Sequence, residues 1–216
     1  MLEKSDPWRL MTLVEDAREG RIAATHPFNS WNAAQVEALW DNILNEWPVG
    51  PFVLLDVSGP RERLWRGRLG PYQVRPSAQR RLLVEEGAGK LAALAWSLAQ
   101  KPTAMLSQCD VEELALWTRK TLVLDIDQRR VRFVEQDYTP ARQLPLFLLP
   151  QAGPCLQTLN NLDLCPVERE WVNQSARRLI EARSPVYVFP DSSTRLAERL
   201  ITNCRQIGAV DSHPGL

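Results

Sequence analysis

Apolar residues recur at three- and four-residue spacing in Val36, Leu39, Trp40, Ile43, Leu44 and Trp47, behind an Asn32 that can cap a helix with Gln35 reaching back. The spacing predicts an amphipathic helix, which Pro48, Gly50 and Pro51 stop. Phe52 to Val57 is then an apolar run broken only by Asp56, as expected of a strand buried on both faces. Ser58-Gly59-Pro60 turns the chain, a shorter strand is predicted around Leu64-Trp65, and Gly70-Pro71 breaks it. Leu82-Leu83-Val84 reads as a strand running into Glu85-Glu86-Gly87-Ala88-Gly89-Lys90. From Leu91 to Gln100 the chain is apolar nearly all round, which predicts a buried helix.

Further on, Asp110 can cap a helix through about Lys120. Leu122, Leu124 and Ile126 recur at every second position, as do Val131 and Phe133 beyond a turn at Asp127-Gln128, which predicts a hairpin. Residues 139–166 hold several prolines and little periodicity, and a long ordered loop is expected there. Val167 to Arg183 has a helical pattern and Val186 to Phe189 that of a short strand. Asp191 or Ser192 can cap a last helix with Leu196, Leu200, Cys204 and Ile207 on one face. Strands and helices thus interleave, which points to a mixed α/β fold with a small mixed sheet and flanking helices. The expected organisation is a mixed segment 1–21, a single domain 22–208 and a frayed tail 209–216.

Composition narrows the setting. With 216 residues, 44% hydrophobic and 24% charged, the chain can bury a substantial core. Its 26 basic and 26 acidic residues cancel, so nucleic-acid contact would need a local patch. No secretory pattern opens the sequence and no apolar run approaches the roughly 18–20 residues that span a bilayer. The expectation is a cytoplasmic chain without membrane contact. Cys109, Cys155, Cys165 and Cys204 are widely spaced, with no CxxC pair and no His at ligand spacing, and are read as small core residues; no metal site is expected. The eight Trp fall mostly within apolar patterns, which assigns them to core packing.

The strand-to-helix turn at 82–94 is the most informative segment for chemistry. A helix N-terminus offers unpaired N–H groups and partial positive charge, and glycines let a phosphate approach the backbone. Gly87, Ala88, Gly89 and Lys90 form the candidate phosphate or nucleotide site, with Lys90 as counter-charge and an NTP as the conceivable ligand. Lys90 is followed by Leu91 rather than Ser or Thr, and Val84 stands where a Walker A loop has its first glycine, so this is not that loop. The other reading is a tight turn that lets a strand enter a buried helix. A second candidate is the run Arg61, Arg63, Arg66, Arg68, Arg75, Arg80 and Arg81, interleaved with Trp65 and Tyr72. It suits phosphate backbone and bases, or a solvated strand face.

The segments Phe28-Asn29-Ser30-Trp31, Gln35 with the Leu39–Leu44 helix, and Trp47-Pro48-Val49-Gly50-Pro51-Phe52 follow one another as in a known family. Together with Leu69-Gly70-Pro71, the Leu82–Leu91 stretch, Leu124-Asp125, Val131–Phe133 and Leu196 to Gly208, they resemble the N-terminal domain of the GmrSD-type modification-dependent restriction endonucleases over roughly 22–208. The resemblance implies a fold similar to ParB and sulfiredoxin, in which a comparable turn binds nucleotide or phosphate. Carried onto the family's Asp-Gly-Gln-Gln-Arg motif, Glu86 takes the place of the Asp, Gly87 of the Gly and Lys90 of the Arg. Ala88 and Gly89 replace both Gln side chains, and Lys90 lacks the bidentate fork of Arg. Thr25-His26 stands near the place of the family's Gln-Arg pair, which makes His26 a candidate donor or general acid beside Glu86, though a turn residue is the plainer reading.

These departures imply a non-catalytic or weakly nucleotide-binding subunit of a bacterial multi-protein system, of the anti-phage defence, restriction-modification or mobile-element kind, docking a protein or nucleic acid. An HNH-type nuclease domain, which larger relatives carry next, is not expected here. Two other readings stand beside it. One is a partner-dependent NTPase or DNA-nicking enzyme built on the Glu86–Lys90 turn; the other is a DNA-binding module built on Arg61–Arg81.

Overall fold

In a computed structural model of the chain, the described residues are 7–24, 31–56, 68–73, 82–99, 116–135 and 142–190. Strand β1 (Trp8–Arg9) runs into α1 (Leu10–Arg18), followed by β2 (Ile22–Ala24), α2 (Ala33–Leu44), β3 (Phe52–Asp56) and the small hairpin β4 (Arg68–Leu69) and β5 (Tyr72–Gln73). Then come β6 (Leu82–Glu86), α3 (Ala88–Leu98), β7 (Lys120–Asp125), β8 (Arg130–Glu135), β9 (Gln143–Pro145) and a 3-10 turn, Leu146–Leu148. Helices α4 (Ala152–Asn160) and α5 (Pro166–Glu181) precede β10 (Arg183–Ser184) and β11 (Val186–Pro190). The fold is mixed α/β, as its alternating patterns predict.

The main sheet has the order β11-β3-β6-β2, with β3 parallel to β11 and antiparallel to β6, and β6 parallel to β2. Side chains alternate across it. Phe52, Leu54, Leu82 and Val84 join the large core with α1, α2 and α3, whereas Val53, Leu55, Leu83 and Phe189 form a second buried cluster. Burial on both faces is what the apolar run Phe52–Leu55 of β3 requires. Helix α2 carries the predicted capping box, with Asn32 accepting from the Gln35 N–H and Gln35 from the Asn32 N–H, both at 3.0 Å. The buried Trp40 indole donates to Ser97 Oγ on α3 at 2.8 Å, and Ser97 donates onward to the Ala93 carbonyl, so no polar atom of the pair is stranded.

A three-stranded antiparallel sheet, β8-β7-β9, forms the second layer. Its β8 edge is sealed by two carboxylates one turn apart on α2. Glu37 accepts the Phe133 N–H at 2.7 Å and Asp41 accepts that of Val131, occupying backbone donors that an open edge would offer to another strand. Burial, working against that hydrogen bond, raises the Asp41 carboxyl above the usual range.

Segment 1–21 contributes to the core through Leu10, Leu13, Val14 and Ala17 of α1. Two sequence expectations are corrected. The loop expected over 139–166 holds β9, the 3-10 turn and α4, because Pro154 falls in the first turn of α4, where a missing N–H costs no helical bond. Cys165 is exposed just ahead of α5 rather than in the core, while Cys155 is buried. The strand expected at Leu64-Trp65, the Asp110 cap, Cys109, Cys204 and the helix expected after Asp191 lie outside the described residues. Among the described residues no helix is long and apolar enough to cross a membrane.

Asp125, at the end of β7, is buried and accepts from the Gln128 N–H (2.9 Å), Arg132 Nε (2.7 Å) and Gln143 Nε2 (3.2 Å). Burial alone would raise its carboxyl, but these donors and the Arg132 charge together hold it below the usual carboxylate range. A carboxyl depressed on folding contributes stability that is present above its unfolded value of about 3.9 and lost as pH falls through the folded one. Asp125→Asn is expected to cost about 1–3 kcal/mol at pH 7. Urea melts of both proteins at pH 7 and pH 3 should show that difference shrinking in acid.

Candidate functional site

The turn between β6 and α3 is folded onto the segment that leads into β3. Gly87 caps α3 in the left-handed region, at φ +92°, and a Cβ placed there would lie 2.6 Å from Phe52 Cδ1. A side chain at position 87 is thus excluded by backbone conformation and by the Phe52 ring together. One turn into the helix, Lys90 is 8% exposed, and its ammonium donates to the carbonyls of Val49 (2.9 Å), Gly50 (3.0 Å) and Pro51 (3.1 Å). The same ammonium sits 4.3 Å from the Phe52 ring centroid, a cation–π contact. Two segments that the sequence presents 39–41 residues apart are therefore one structural unit, with Phe52 between Gly87 and Lys90.

This placement bears on the expected phosphate site. An ammonium has three N–H donors, and three carbonyls receive them, so a phosphate would have to compete with those acceptors for Lys90. Ala88 is buried, whereas Gly89 and Glu86 are half-buried. His26, Arg61, Arg63, Arg66, Arg80 and Arg81 lie outside the described residues, as does the side chain of Arg68, whose backbone forms β4.

The loop that Lys90 anchors presents a feature the sequence did not reveal. Helix α2 ends at Leu44, Glu46 takes φ +60°, and Trp47, expected on the buried stripe of α2, is instead 61% exposed. Its amide donates to the Asn42 carbonyl at 2.8 Å, fixing the chain reversal. Ser184 Oγ also donates to the Gly50 carbonyl, and the Phe52 N–H to that of Pro185 at 2.9 Å. The other described tryptophans meet the core expectation. Trp40 and Trp96 are buried, while Trp8, Trp31, Trp117 and Trp171 are partly buried against the core.

Beside Trp47 lies a groove of about 280 Å³ between the C-terminal ends of α2 and α5, with Ile43, Val49 and Ala182 among its apolar lining. Arg178 closes one end, donating from Nη1 to the Leu44 carbonyl at 2.6 Å, with Nε 3.7 Å from Glu46. Glu181 and Arg183 complete the rim. An exposed indole on a braced loop thus stands beside a groove that mixes apolar and charged side chains. Compared with known protein families and with curated proteins, the chain matches no family model and no curated sequence.

Proposed function

We propose that the chain is a non-catalytic docking subunit of a bacterial multi-protein system of the anti-phage defence kind, and that the Trp47 groove is its docking surface. The observation that carries this reading is the exposure of Trp47 on a loop fixed at both ends. Tryptophan is enriched among the residues that dominate binding energy, and a loop already ordered loses little conformational entropy on association. The occupation of Lys90 by three carbonyls supports docking over the partner-dependent NTPase or nickase. The kind of system rests on the resemblance to the GmrSD N-terminal domain, which rests in turn on the order and spacing of motifs. DNA binding through Arg61–Arg81 stays a separate reading, and it predicts an affinity that falls steeply with salt.

The expected result is that the tagged chain, purified from its native host, brings down a stoichiometric protein partner without bound nucleotide. Trp47→Ala should abolish the co-purification while changing stability by less than about 0.5 kcal/mol, since the side chain is mostly solvated. A partner retained undiminished by the variant would sink the groove assignment. A lone protein carrying nucleotide that Lys90→Ala releases would restore the enzyme reading.

A further inference from the structure

The rim of the Trp47 groove continues onto a pair of arginines that face each other. Strand β1 pairs antiparallel with β10 in the register Trp8↔Ser184 and Arg9↔Arg183. The Leu10 N–H donates to the Ala182 carbonyl at 2.9 Å, so the next pair along, Arg9 and Arg183, is of the non-hydrogen-bonded kind. In such pairs the Cα atoms stand about 4.5 Å apart and both side chains leave the same face at their closest spacing. Both arginines are exposed, and no ion pair to either is found among the described residues. Like charges directly opposed on a two-strand ladder oppose its formation, so the ladder forms against their repulsion. An anion set between the two guanidiniums relieves that repulsion and receives charge-assisted hydrogen bonds from both.

We propose that the occupant of the Trp47 groove is an acidic segment of a partner protein, one apolar side chain entering between Trp47 and Val49 while a neighbouring Asp or Glu carboxylate bridges Arg9 and Arg183. This rests on the docking reading above and names the partner's chemistry. The charge around the site selects a carboxylate over a phosphate. Among the described residues Arg9, Arg178 and Arg183 stand against Glu46 and Glu181, which leaves a single positive charge for one carboxylate, while the two glutamates oppose a dianion. The groove has room for one or two side chains rather than a folded domain, so an extended segment fits it.

The test is selection of a displayed library of random heptapeptides on the full chain, followed by fluorescence anisotropy of the selected peptides. Enrichment of an acid beside Leu, Ile, Phe or Trp is expected, with binding lost in Trp47→Ala and weakened about tenfold or more in Arg183→Glu. Arg183→Glu places an acid opposite Arg9, so its melting temperature should be equal or higher, which separates lost binding from lost fold. Peptides selected without an acid, or bound equally by Arg183→Glu, overturn the carboxylate assignment while leaving the docking surface standing. Tighter binding of a phosphoserine peptide than of its glutamate counterpart overturns it in favour of a phosphate. Selected peptides indifferent to Trp47→Ala overturn the groove itself, and the docking reading with it.

Discussion

Lys90→Met is expected to lower stability by about 3–5 kcal/mol, because methionine keeps the length of the side chain but supplies none of the donors that the Val49, Gly50 and Pro51 carbonyls accept. For a chain of this length that corresponds to a fall of roughly 6–20 °C in melting temperature. The loss is not the full sum of three charge-assisted bonds, since burying the ammonium itself carries a desolvation cost that methionine avoids. Equilibrium urea unfolding followed by tryptophan fluorescence reads the effect directly, and a nucleotide titration on the same samples reads the competing one. A lysine serving only as a phosphate counter-charge would leave the unfolding midpoint where it was and change the titration. An unchanged midpoint would therefore show that the ammonium does not brace the loop. The expected result also couples to docking: with the strap from Val49 to Pro51 released, Trp47 loses its fixed position, so partner binding should weaken even in variant molecules that remain folded.

The elements that were legible in the sequence are those whose burial leaves a period. The stripe from Val36 to Leu44 and the apolar run Phe52–Leu55 identify a half-buried helix and a doubly buried strand, and the apolar positions of β7 and β8 on either side of the Asp127-Gln128 turn identify a hairpin. Helix α1 was missed although Leu10, Leu13, Val14 and Ala17 have helical spacing. It follows Arg9, whose side chain makes no cap, and its entry is fixed by the pairing of β1 with β10, over 170 residues away in the chain. Of the prolines that suggested a loop there, Pro154 falls in the first turn of α4 and Pro166 opens α5, positions at which a proline starts a helix rather than breaks one. The site was less legible than the fold, for a related reason. Backbone carbonyls carry no side-chain signature, so nothing in Val49-Gly50-Pro51 announces that it accepts a lysine ammonium. Trp47 continues the spacing of α2 to the eye, and only the left-handed residue at Glu46, an unusual conformation for a side chain with a Cβ, turns it outward.

Gly87→Ala should cost about 2–5 kcal/mol, from two sources that a second substitution separates. An alanine at φ +92° carries the penalty of the left-handed region, about 1–2 kcal/mol, wherever it occurs. Its Cβ would also stand 2.6 Å from Cδ1 of the fully buried Phe52 ring, and overpacking of that kind typically costs about 1–3 kcal/mol. Phe52→Leu removes the ring and with it the second source, leaving the first. The double-mutant cycle is thus expected to show that Gly87→Ala costs less in the Phe52→Leu background, by about 1–3 kcal/mol, a coupling readable from denaturation midpoints of the four proteins. If the glycine were there for a phosphate to approach the backbone, its replacement would cost ligand affinity, and the two substitutions would add in stability with no coupling. Coupling of the expected sign means that the turn is glycine because Phe52 occupies the space a side chain would need. The same aromatic then sets the residue at position 87, receives the Lys90 ammonium on its face and anchors the strand below Trp47. A turn shaped by the ring it encloses needs no ligand to account for its glycine.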